Sequence, residues 1–114
     1  MEERIKSQIR SEIERRLVGT NLKYSNMEKK LINIFSWWNN GFKFKEPFDL
    51  ADIPVNGPRE VTVEFTFWGD LDWGEGNRKR HTISGNFGPI VIHFNEGTYH
   101  LDFSKSNFPP LEIS

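Results

Sequence analysis

The sequence predicts an α+β fold: two N-terminal helices packed on one face of an antiparallel β-meander of about four strands. Three observations predict it. Ile5, Ile9, Ile13 and Leu17 recur at four-residue spacing, the stripe of an amphipathic helix. Glu60 to Trp68 alternates, with Val61, Val63, Phe65 and Phe67 on one side and Glu60, Thr62, Glu64 and Thr66 on the other, as a half-buried strand requires. Gly88 to Phe103 reads as a β-hairpin. An even loop around Glu96-Gly97 sets Phe94 opposite Tyr99, Ile92 opposite Leu101 and Ile90 opposite Phe103. All six side chains then share one face, while Val91, His93, His100 and Asp102 share the other. A three-residue loop would mix apolar and polar side chains on both faces, so burial selects the even loop.

In chain order, residues 2–17 form the first helix, stopped by Gly19. Its stripe is narrow, so it packs on the body of the domain, or else on a second copy of itself as a homodimer. Residues 20–25 connect it to a second helix over Asn26–Asn39. Ser25 and Glu28 supply a capping box there, Met27, Leu31, Ile34, Phe35 and Trp38 an apolar face, and Gly41 a left-handed cap. Trp37 lies at the margin of that face, and Ile32 points away from it. Phe42-Lys43-Phe44-Lys45 suits a short edge strand whose lysines discourage foreign pairing. Residues 46–59, broken by Pro47, Pro54, Gly57 and Pro58, form an irregular connection. Residues 69–77 read as an acidic loop, 78–84 as a poorly patterned edge strand, and 85–88 as a turn into the hairpin. The prolines at 109 and 110 make the C-terminus an extended tail.

The 114 residues form a single domain over 1–114, and the ten Phe and four Trp supply a core despite few aliphatics. The absence of cysteine rules out disulfides, thiolate zinc sites and Cys nucleophiles, and suits a reducing compartment. With no secretory leader and no apolar run of spanning length, a cytoplasmic protein is expected. The net charge of −1 conceals a basic residue range 1–45 at +5 and an acidic range 46–114 at −6. Such a dipolar chain can steer a charged partner, or its halves can attract each other.

Chemistry-bearing motifs are sparse. There is no Gly-x-Ser-x-Gly elbow, phosphate loop or dinucleotide fingerprint. Asp70 and Asp72 have the first spacing of a calcium loop, but Gly74 occupies the next ligand position and no Glu follows at the twelfth. His93 and His100 are expected as cross-strand neighbours, with Asp102 on the same face. That pair suits general acid–base chemistry in a small hydrolase or nuclease, or a metal if His81 or Asp102 joins it. An open sheet face excludes no water, however, so neither enzyme, metal nor cofactor is expected. Arg78-Lys79-Arg80-His81 offers a weak nucleic-acid patch, offset by neighbouring acids and a pI of 6.3. Trp68, Asp70, Asp72, Trp73 and Glu75 cluster tryptophan with carboxylates, the composition of a hot spot aimed at a basic protein surface. The expected function is therefore binding of another protein, as an inhibitor, immunity or adaptor protein does.

Overall fold

The computed structural model describes residues 3–24, 27–35, 41–45, 57–72 and 79–113. Its frame is a pair of long antiparallel strands, β5 (Arg59–Asp72) and β6 (Lys79–Asn95), with one helix, α1 (Glu3–Leu17), laid across their apolar side. Ile5, Ile9, Ile13 and Leu17 are each at most 1% exposed and join Val63, Phe65, Phe67, Phe87, Ile90 and Ile92 in one core. The helical stripe is thus consumed within a single chain, and a second copy would meet the helix on its charged side. Gly19, at φ +92°, ends the helix as expected, and the hydroxyl of Thr20 donates to the Arg16 carbonyl.

Short strands line both edges of the frame. On the β5 side, β3 (Asn33–Phe35) pairs with residues 70–72 and β4 (Gly41–Phe44) with residues 65–68. On the β6 side, β7 (Thr98–Asp102) pairs with residues 91–95 and β8 (Glu112–Ile113) with residues 83–84. A separate hairpin, β1 (Asn21–Tyr24) with β2 (Met27–Lys30), joins the helix to β3.

The expected second helix is therefore absent among the described residues. Residues 27–30 and 33–35 are strands, while Ser25, Trp37 and Trp38 lie outside the described residues. The apolar period of Met27, Leu31 and Ile34 fits a helix, but two extended pairings compete with it. Residues 21–24 pair with residues 27–30, with exposed Lys23 opposite exposed Glu28. The amide of Ile32 then donates to the Asp72 carbonyl at 2.9 Å and draws the chain onto the edge of β5. Leu31 and Ile34 are buried while Ile32 is 51% exposed. Ser and Asn between two such runs are turn formers as readily as helix caps. Gly41, expected as a helix cap, is the first residue of β4.

The terminal hairpin follows the expected register: Phe94 pairs with Tyr99, His93 with His100 and Ile92 with Leu101. Its loop is Glu96-Gly97, both at positive φ (53° and 77°), the twist that suits a two-residue hairpin. The expected break at 85–88 is instead an irregularity inside β6. Val61 pairs with Ile90, but Val63 pairs with Phe87. The extra residue reverses the side-chain alternation, so His81, Ile83 and Phe87 point inward before it, and Ile90 and Ile92 after it. This bulge hides the single strand from a period-two reading and makes Pro89 tolerable in a central strand. It also makes β6 central where its first half was expected at an edge.

Gly88 is required at the bulge. A Cβ there would lie 2.7 Å from Thr62 Oγ1, 2.9 Å from Thr62 Cα and 3.0 Å from the Val61 carbonyl oxygen. Two of these are backbone atoms of the neighbouring strand. Gly88→Ala is expected to cost about 1–3 kcal/mol by overpacking. Urea denaturation checks it, and an unchanged midpoint would contradict this account of the bulge.

Candidate functional site

The polar side of the β5–β6 frame is the surface that the core leaves over. Because strand side chains alternate, burying Val61, Val63, Phe65, Phe67 and Leu71 forces Thr62, Glu64, Thr66, Trp68, Asp70 and Asp72 outward. β6 supplies their cross-strand neighbours: Asn86 beside Glu64, Ser84 beside Thr66, Thr82 beside Trp68 and Arg80 beside Asp70. Every one of these residues is exposed or half-buried.

The expected acidic loop is corrected by this arrangement. Residues 69–72 continue β5, and Trp68, Asp70 and Asp72 are aligned at alternate positions over about 13 Å of one strand face. Gly69 and Asp70 have the look of turn punctuation. Here Gly69 occupies a buried, inward position opposite His81. Trp73 and Glu75 lie outside the described residues.

Trp68 is half-buried, and its indole lies across Gly41 on β4; a Cβ at Gly41 would overlap the ring. The tryptophan therefore contributes to the sheet edge and presents its remaining surface outward. Asp70 has Arg80 Nη1 at 4.0 Å. Lys45 Nζ lies 3.4 Å from Glu64, and the hydroxyls of Thr66 and Ser84 are 3.2 Å apart. These pairs lie on a solvated surface, so each adds little stability, about 0–1 kcal/mol for an ion pair. Arg80 as the partner of Asp70, and Gly41 beneath Trp68, are features that the sequence reading missed. Both follow only once the antiparallel register is known.

The other two candidate clusters fare differently. The basic run is split by strand alternation: Arg80 is exposed on the polar side, His81 is 5% exposed on the core side, and Arg78 lies outside the described residues. His81 thus cannot join His93 and His100, which sit on the polar face of the terminal hairpin. Those two imidazoles stack, with ring centroids 5.1 Å apart and planes 21° apart. Asp102, on the same face, accepts the Ser104 amide at 2.9 Å, and this hydrogen bond holds its carboxyl below the usual range. The grooves that α1 forms with β4, with Phe103 and with residues 97–99 are not lined by His93 or His100. Among the described residues no helix is long and apolar enough to cross a membrane.

No protein family, curated protein or solved structure matches the chain.

Proposed function

We propose that the chain is a protein-binding module of the inhibitor, immunity or adaptor kind, and that its partner carries a basic surface. The observation that carries this reading is the row of Trp68, Asp70 and Asp72, each half-buried, on the polar side of a long sheet. Fourteen residues of β5, with a paired strand on each side, present a surface of about 45 by 14 Å, at most on the order of 600 Å². That is the lower end of one partner's share of a standard interface. Trp68, steadied by Gly41 beneath it, is a rigid aromatic anchor of the kind that dominates binding energy. The two carboxylates orient a basic partner and raise its on-rate. Trp73 and Glu75, next in the sequence, are part of the proposed binding set by composition alone, and a cytoplasmic setting goes with it.

The test is capture of a partner from the source lysate, with and without nuclease, by the wild type and by an Asp70→Lys/Asp72→Lys double variant. A protein recovered at near-equal stoichiometry by the wild type in both samples, and lost by a variant of similar melting temperature, supports the proposal. Recovery by the variant at wild-type levels overturns the assigned surface. Recovery that disappears with nuclease replaces the reading with nucleic-acid binding.

A further inference from the structure

The terminal hairpin places two imidazoles in register on an open face, and their separation has a chemical meaning independent of the protein-binding surface. His93 and His100 are direct cross-strand partners, and the even two-residue loop a few residues away locks that register. A late first-row metal ion binds an imidazole nitrogen at about 2.0–2.1 Å, which puts each ring centroid about 3.2 Å from the ion. Two rings on one ion at a tetrahedral angle then have centroids about 5.2 Å apart. The observed separation is 5.1 Å, with the rings stacked and their planes 21° apart, so chelation requires each ring to turn about its Cβ–Cγ bond until one nitrogen of each faces the ion. His100 is exposed and His93 half-buried, so an ion reaches the pair directly from solvent.

We propose that His93 and His100 form a two-imidazole chelate for a divalent late transition ion such as Zn²⁺ or Ni²⁺. Imidazole nitrogen suits these ions and disfavours Ca²⁺ and Mg²⁺, which take oxygen ligands. Among the described residues no group of three or more His, Asp or Glu assembles around one point, so water fills the remaining positions. Asp102 lies two cross-strand pairs away, opposite Val91 on the same face, where its carboxyl accepts the Ser104 amide. Chelation clamps β7 to β6 close to the loop, and binding to the folded state alone raises its stability.

The test is calorimetric titration of the untagged full chain with Ni²⁺ and with Zn²⁺ at neutral pH, alongside His93→Gln, His100→Gln and His81→Gln. The wild type is expected to bind one ion and to melt higher in its presence. Either His93→Gln or His100→Gln is expected to weaken binding by about a hundredfold, because each removes one arm of a chelate. His81→Gln, on the opposite side of the sheet, should bind as the wild type does. Absence of binding by the wild type at millimolar metal overturns the proposal, as does binding that survives both hairpin variants.

Discussion

Phe87→Ala is expected to remove about 3–5 kcal/mol, the usual cost of deleting a fully buried aromatic ring. Phe87 is 0% exposed and sits where the β6 irregularity changes the alternation. Its ring centroid lies 5.1 Å from that of Phe108 and 6.2 Å from that of Phe103, and the Arg16 guanidinium sits 5.4 Å above it. One ring therefore joins the helix, the central strand and the returning C-terminal segment. A cavity here cannot close without moving all three, which puts the cost toward the top of the range. A domain of this size has about 5–15 kcal/mol in total, so the variant approaches the limit of folding. Phe94→Ala, half-buried at the hairpin end, should cost far less. Urea denaturation of both checks the account, and a loss at Phe87 no larger than that at Phe94 would contradict it.

Arg16→Ala is expected to cost about 2–3 kcal/mol, since a hydrogen bond from a charged donor contributes about 1.5–3 kcal/mol and part of its strength is screened here. The side chain is 27% exposed. Nη1 donates to the Ser106 carbonyl at 2.5 Å and Nη2 to the Phe103 carbonyl at 2.7 Å, while Nε donates to Glu12 at 2.8 Å. The fork thus fastens the turn after β7 to the helix, and the amide of Asn107 then bonds the Gly88 carbonyl at 3.0 Å. Arg16→Lys should recover only part of the loss, because one ammonium cannot span both carbonyls and a carboxylate. Hydrogen exchange separates this from a general weakening: the amides of Ser106 and Asn107 should lose protection before those of β5. Uniform loss across the sheet would contradict the clamp. Glu12 is held by Arg15, which hydrogen-bonds it and lowers its carboxyl pKa against partial burial, with Arg16 acting in the same direction.

The parts of the fold that were legible depend on contacts near in sequence. The stripe of α1, the inward set of β5 and the register of the terminal hairpin each follow from one face having to be buried. The β2–β3 region was misread because its apolar spacing fits a helix, and only the distant edge of β5, through Ile32 and Asp72, favours extension. Gly85, Gly88 and Pro89 are turn residues by composition, but the bulge accommodates Gly88 and Pro89, while Gly85 pairs regularly opposite Phe65 with the Leu111 side chain packed over it. β8 is two residues long and pairs with a strand nearly thirty positions earlier, so no local pattern announces it. At the candidate site, the alternation of Trp68, Asp70 and Asp72 is visible in the sequence once β5 is carried past Trp68. The placement of His81 opposite to Arg80 is visible in the same way, whereas the indole over Gly41 depends on a pairing across the chain.

The central claim is that the molecule works through the polar side of β5 and β6 and not through the outer side of the helix. The most direct measurement is the dissociation constant of the captured partner for three proteins: wild type, Asp70→Lys/Thr82→Lys on the sheet, and Ser7→Lys/Ser11→Lys on the helix. Thr82 is beside Trp68, while Ser7 and Ser11 are exposed on α1. The expected result is a loss of about a hundredfold or more for the sheet variant, as for a disrupted hot spot, with the helix variant within about threefold of wild type. The opposite pattern would move the interface to the helix and contradict the account.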